Sequence, residues 1–265
     1  MRPSPTDAAL LDALGALALK AGAKALEIYH SDFDVEAKGD ASPVTEADRL
    51  GEEIILKGLA EIAPEIPVLA EEAASDGKIP DLGEEFFLVD PLDGTKEFIT
   101  RNGEYTVNIA LVRGGEPVLG AVYAPALGKL YLGAVGKGAT LTMIGKDGAA
   151  GACAPIVARR APDAGMTAVA SRSHRSPETD DFLGTLKVAE FAAAGSSLKF
   201  CLIAEGAADV YPRLGRTMEW DTGAGHAVLA AAGGGVEEFD GRTPLRYGKK
   251  QRGFDNPHFI AWGAR

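Results

Sequence analysis

The 265-residue sequence carries two aspartates three residues apart in Asp90-Pro91-Leu92-Asp93-Gly94-Thr95, directly after the apolar run Phe86–Val89. Two carboxylates at a strand end, locked by the intervening proline, can turn toward one point. A hard divalent cation such as Mg²⁺ takes oxygen ligands of this kind, together with water and substrate phosphate. The carbonyl of Leu92 would add a neutral oxygen. Gly94 lets the backbone approach a ligand closely, and a short helix opened by Thr95 would aim its first amides at an anion. The same turn also reads as an Asx turn capping that helix. Two other places supply acids. Glu71-Glu72 follows the strand-like Pro67–Ala70, and Asp221, after Trp220, stands at the expected start of a helix. A solvated loop and a helix N-cap are the plain readings of these two. Three such placements at strand ends or helix starts are harder to explain separately than as one shared metal centre.

Other chemistries leave no comparable trace. The chain has no G-x-x-x-x-G-K-[ST] phosphate loop, no G-x-G-x-x-G after a strand and no G-x-S-x-G elbow. Its four histidines are scattered: His30, His174, His226 and His258. His226, about a turn after Asp221, reads as a helix-packing residue. Cys153 and Cys201 are too few for a disulfide framework and lack metal-ligand spacing.

The elements that must position these residues follow from periodicity. Apolar residues at three- and four-residue steps predict a helix over residues 8–29, with Thr6 or Asp7 as N-cap, and a second over 46–63 ended by Pro64. Residues 105–112, 118–124 and 129–134 read as an antiparallel meander. Residues 145–163 are poor in large apolar side chains. We therefore expect two halves: 1–150, with most metal ligands, and 151–265, with Asp221 and the contacts to a second phosphate and nucleotide. The second half reads as strands at 166–171, 187–192, 209–211 and 259–262, with helices at 178–185, 196–205 and 221–232. Strands and helices mix without strict βαβ alternation, which favours an α+β or layered architecture.

Acids outnumber bases 38 to 27, a net charge of −11. Such a chain repels a phosphate backbone, which argues against nucleic-acid binding. No apolar run approaches the roughly 20 residues of a transmembrane helix, and the N-terminus lacks the pattern of a signal peptide. The expectation is a cytoplasmic protein, with peripheral inner-membrane association left open and no obligate protein partner evident.

Taken together, Glu71-Glu72, Asp90-Pro-Leu-Asp93-Gly-Thr95 and Trp220-Asp221 with Ala224-Gly225 resemble the signature of the Mg²⁺-dependent, lithium-sensitive phosphatases. This superfamily includes inositol monophosphatase, fructose-1,6-bisphosphatase and the bisphosphate nucleotidases. Ser42-Pro43-Val44-Thr45-Glu46-Ala47-Asp48 fits the same pattern; Gly223 departs from it, standing where the family usually has Ala. Gly195-Ser196-Ser197-Leu198-Lys199-Phe200-Cys201, Asp209-Val210-Tyr211-Pro212-Arg213 and Asn256-Pro257-His258-Phe259 resemble the CysQ-type 3'(2'),5'-bisphosphate nucleotidase branch.

The resemblance implies a layered αβαβα sandwich and hydrolysis of the 3'-phosphate of 3'-phosphoadenosine 5'-phosphate (PAP) to AMP, a by-product clearance step in sulfate assimilation. It implies two or three Mg²⁺ ions on Glu71, Asp90, Asp93, Asp221 and the Leu92 carbonyl. Thr95 and Asp48 would act as a dyad orienting water, with Glu72 aligning a metal-bound water. The amides of Gly94 and Thr95 would cradle the scissile phosphate, and Ser196, Lys199 and Arg213 would hold the second one. Taken alone, Lys199 also reads as a snorkelling surface lysine and Arg213 as a rim ion-pair partner. Arg172, His174 and Arg175 are weaker candidates. The alternatives are an inositol monophosphatase or related sugar phosphatase and, more remotely, a non-catalytic Mg²⁺/nucleotide sensor.

Overall fold

The computed structural model describes residues 5–37, 43–170, 177–240 and 242–265. Ser42, Ser171, Arg172, His174 and Arg175 lie outside the described residues. In chain order the first elements are α1 (Asp7–Tyr29), β1 (Glu36–Ala37), β2 (Pro43–Val44), α2 (Glu46–Ile62), β3 (Val68–Ala70) and α3 (Glu71–Ser75). Then come β4 (Glu85–Asp93), α4 (Thr95–Ile99), β5 (Thr106–Arg113), β6 (Glu116–Ala124), β7 (Lys129–Ala134), β8 (Gly138–Ile144) and β9 (Ala150–Ile156). The remainder is β10 (Met166–Ala170), α5 (Pro177–Gly184), β11 (Val188–Ala193), α6 (Leu198–Ala204), β12 (Val210–Arg213), α7 (Glu219–Ala231), β13 (Gly235–Glu238) and β14 (Phe259–Trp262).

Strands β3 to β9 form one sheet in sequence order, antiparallel except for the parallel β3–β4 pair. The second sheet has the order β11-β10-β12-β14-β13. Alternation along β4 builds the layers. Phe87 and Val89 pack with Leu10, Leu14 and Leu17 of α1 and Ile55 and Leu59 of α2. Phe86 and Leu88 face the other way, toward Phe200 and Ile203 of α6 and Ala224 and Val228 of α7. Those helices also cover Tyr211 and Phe259 of the second sheet, and Leu183 of α5 closes its far side over Ala168, Val210 and Ile260. The result is the expected αβαβα sandwich. Because β4 and β5 are buried on both faces, they read as continuous apolar runs rather than alternating ones.

Thr6 is the N-cap of α1, accepting from Ala9 N at 3.3 Å. The first sheet does not end near residue 150 but runs on through β9 to Ile156. That strand, Ala-Gly-Ala-Cys-Ala-Pro-Ile, lies at the sheet edge with nearly every residue exposed, so it lacks the apolar alternation that marks a strand. β8 and β13 were likewise not expected, and α7 begins two residues before Asp221. Gly223 of α7 rests against β4: a Cβ there would meet Leu88 Cδ1 at 2.8 Å and Ala110 Cβ at 3.3 Å. Leu88 therefore accounts for glycine at this position.

Candidate active site

β4 extends through the aspartate motif and is not regular there. Asp90 pairs with Asn108 and Asp93 with Thr106, so three steps on β4 oppose two on β5. Residues three apart on a regular strand point to opposite faces; one extra residue restores the parity and brings both carboxylates to the same side. Asp90 also forms the Asx turn, its Oδ1 accepting from Leu92 N at 3.0 Å. Gly94 has φ +94°, and a Cβ there would lie 2.1 Å from Ser196 Oγ, so only glycine fits on both counts. Thr95 then opens α4.

Helix α2 holds this turn from behind. The Asp48 carboxylate is fully buried. Its Oδ2 accepts from Thr45 N at 2.8 Å and Thr45 Oγ1 at 2.7 Å, and its Oδ1 accepts from Thr95 Oγ1 at 3.2 Å. One turn further on, Glu52 receives Glu72 N at 2.8 Å and Ala73 N at 2.9 Å. It thereby caps α3, whose own N-cap residue, Ala70, makes no side-chain cap bond. Glu52, absent from the sequence reading, thus steadies the short helix that carries Glu71 and Glu72. Burial raises its pKa to about 7 against the opposing pull of those two amides.

The C-terminal half closes the site from the other side. Asp221, in the first turn of α7, accepts from Met218 N at 2.9 Å. Lys199 of α6 is buried, donates to Ser196 O at 2.9 Å and lies 5.5 Å from the Tyr211 ring centroid. Desolvation lowers its pKa to about 8, partly offset by the attraction of Asp93. Arg213 donates from Nη2 to Arg216 O at 3.0 Å, while its buried Nε has no partner among the described residues. Ser196, expected at the second phosphate, lines the same cavity as Lys199 and Arg213, but its hydroxyl is turned to the backbone. Its Oγ lies 2.7 Å from Asp93 O and 2.9 Å from Glu104 O, so its single proton is committed to backbone carbonyls. In this arrangement it can offer a phosphate no hydroxyl donor. His226 packs as expected: it is buried, with Nδ1 3.0 Å from Tyr247 Oη, and desolvation lowers its pKa to about 3.

Glu71, Asp93, Gly94, Thr95, Ser196, Lys199, Arg213 and Asp221 line one cavity of about 300 Å³. Asp48, Asp90 and Leu92 are buried in its supporting wall, and Glu72 adjoins Glu71 on α3. Burial, then the charges of Glu71, Asp93 and Asp221, push Asp90 well above the usual carboxylate range. Burial raises Asp221 in the same way, and Asp93 rises to about 6 despite Lys199. Carboxylates that resist ionising together are a site short of positive charge. Among the described residues no three acidic, histidine or cysteine side chains are arranged to hold a metal ion as they stand. The donor set is nevertheless all oxygen and suits hard cations, each ion taking one or two carboxylates with the balance from water, carbonyl and phosphate.

The inositol monophosphatase family model matches residues 7–259. The 3'(2'),5'-bisphosphate nucleotidase CysQ of Escherichia coli K12 is 44% identical over 258 residues, covering 94% of this chain and 98% of that protein. The crystal structure of CysQ from Bacteroides thetaiotaomicron, a bacterial member of the inositol monophosphatase family, superposes with a TM-score of 0.76 at 41% identity. That alignment covers 96% of this chain and 97% of the other. The Thermotoga maritima IMPase, 24% identical, shares the fold with a TM-score of 0.75, covering 95% and 91% of the two chains.

Proposed function

Since the chain belongs to the inositol monophosphatase family, we propose that it is a Mg²⁺-dependent 3'(2'),5'-bisphosphate nucleotidase that hydrolyses the 3'-phosphate of PAP to give AMP and phosphate. One observation carries the reading: a single cavity has carboxylates on one wall and, on the other, the buried Lys199 and the half-buried Arg213, whose buried Nε has no partner among the described residues. A monophosphate ester would leave that second wall without work.

Glu71, Asp90, Asp93, Asp221 and the Leu92 carbonyl would hold two or three Mg²⁺ ions. When bound, Mg²⁺ steadies the phosphoryl oxygens and acidifies a water near neutral pH. The chain's own groups do the placing. Thr95 gives its hydroxyl proton to Asp48, which leaves its lone pairs free to accept from, and so orient, the attacking water. Glu72 aligns a second water from the adjoining position on α3. The first amides of α4, at Gly94 and Thr95, lack intrahelical acceptors and can receive the phosphoryl oxygens. Lys199 and Arg213 fix the 5'-phosphate and so hold the ribose 3'-oxygen over the acids. Among the described residues no helix is long and apolar enough to cross a membrane, and a small soluble nucleotide needs none.

The test is phosphate release from PAP, inositol 1-phosphate and fructose 1,6-bisphosphate at equal Mg²⁺, with and without Li⁺ and with EDTA. We expect PAP to be preferred, with turnover lost in EDTA and reduced by Li⁺. Equal rates on inositol 1-phosphate would point to the phosphomonoesterase alternative. Tight PAP binding without phosphate release would point to a sensor.

A further inference from the structure

The geometry points to Asn108 and Ser197 as positioning residues that set the separation of Asp93 and Asp221, and so the affinity of the site for divalent cations. This rests on reading those two aspartates as metal ligands. They come from opposite halves of the chain, and their distance is not fixed by any one element. Between them runs a buried relay. Asn108 Nδ2 lies 3.4 Å from Asp93 Oδ2, a long contact, and 3.1 Å from Ser197 Oγ; Ser197 Oγ donates to Asp221 O at 2.6 Å. Asn108 and Ser197 are each 1% exposed.

The direction of every bond in this relay is determined. Ser197 has one proton and gives it to the Asp221 carbonyl, so toward Asn108 it can only accept. The amide must therefore turn its NH₂ to Ser197 and to Asp93, because the flipped rotamer would set Oδ1 against two acceptors. The consequence is visible: Oδ1 is left buried without a partner among the described residues. A structure that leaves an amide oxygen unpaired in order to aim the nitrogen at a carboxylate has used the residue for placement rather than for filling the core. Neither residue lines the cavity, so neither touches substrate. Partners that orient ligand side chains are worth about 10–100-fold in metal affinity.

The experiment is Mn²⁺ binding to the full chain, followed by the electron paramagnetic resonance of free Mn²⁺, alongside thermal unfolding in EDTA. Ser197→Ala should weaken Mn²⁺ binding about tenfold or more while the melting temperature in EDTA stays near that of the wild type. Ser197→Thr, which keeps the hydroxyl, should restore most of the affinity. Asn108→Ala, which leaves the bond to Asp221 in place, should weaken binding severalfold, and it decides the matter should Ser197→Ala not fold. Mn²⁺ affinity within twofold of wild type in Ser197→Ala or, in that case, Asn108→Ala would overturn the proposal, as would equal losses in the Ala and Thr variants. A wild-type protein that binds no Mn²⁺ would instead bring down the metal-site reading beneath it.

Discussion

The two walls of the cavity are built on opposite electrostatic terms. The acid wall gathers Glu71, Asp90, Asp93 and Asp221 against their mutual repulsion: Leu92 N holds Asp90, Asn108 Nδ2 holds Asp93, Met218 N holds Asp221, and Glu52 of α2 caps the helix that carries Glu71. The basic wall rests on Lys199 and Arg213, each donating to a backbone carbonyl. A wall that repels itself must be imposed by rigid elements and pays for this in stability until cations arrive. The basic wall also carries a cost, since burial and the neighbouring charge of Arg213 both hold the Lys199 ammonium down, but it has two cations to place where the acid wall has four carboxylates. On the proposed function, the acid side would carry turnover and the basic side the choice of substrate.

Removing a carboxylate should break the acid wall for every substrate. Asp93→Asn is expected to lower kcat at least 10²-fold, the scale of losing one aimed electrostatic group, on PAP and on a monophosphate ester alike; steady-state phosphate release checks this. The basic wall should fail selectively. Lys199→Ala removes a charge-assisted contact worth about 1.5–3 kcal/mol, so kcat/KM for PAP should fall about 10–100-fold while that for inositol 1-phosphate changes little. Equal losses on both substrates would contradict the division of labour.

The comparison also has a signature in pH. Glu52, held near 7, and Asp93, near 6, keep protons in the folded chain that the unfolded chain releases near pH 4–4.5. Between about pH 4 and 7 the native state then binds more protons than the unfolded one, so stability falls as pH rises across that window and levels off above it. His226 acts in the other direction: folded, it stays neutral down to about 3, so stability is lost as pH drops below 6.5. The two carboxyls outweigh the single imidazole, so without divalent ions the melting temperature should peak near pH 4–4.5 and decline by several degrees toward pH 7, at roughly 2–4 °C per kcal/mol for a chain of this size. Saturating Mg²⁺ should remove the decline on the alkaline side, because ions that bind only the folded form stabilise it. Scanning calorimetry in EDTA and in Mg²⁺ reads both limbs. The smallest effect concerns neither wall directly. Gly223→Ala must push against Leu88 beneath α7, and overpacking of this kind costs about 1–3 kcal/mol, measurable by urea unfolding with the m-value unchanged.

Much of the site was legible in the sequence because its acids sit at punctuation points: Asp90 and Asp93 around a proline, Glu71 after a strand, Asp221 beside a glycine-rich helix start. What escaped was polar and interior. Asn108 lies within Thr106–Arg113, a run that reads as core strand, and a single amide inside it carries no spacing pattern. Ser197 was hidden beside Ser196, the more obvious candidate, whose hydroxyl proved committed to backbone. Glu52 did leave a signal. Asp48, Glu52, Ile55 and Leu59 share one face of α2, and all four are buried. Two acids on the apolar stripe of an amphipathic helix cannot be solvated and must have partners. The edge strand β9 was lost for the opposite reason, having too little side chain to show any pattern.

The irregular pairing at Asp90–Asp93 makes chain length itself part of the chemistry. With the extra residue, both acids lie on one side of the strand, Asp93 lining the cavity and Asp90 buried in the wall behind it; delete or insert one residue between them and parity reverses. One carboxylate would then point to the side where Phe87 and Val89 pack under α1 and α2. Point substitutions at Pro91 or Leu92 can be graded in effect, but a single-codon indel there would turn a proposed metal ligand into a buried charge in an aliphatic layer. The chemistry here thus depends on how many residues separate Asp90 and Asp93 as well as on which residues they are.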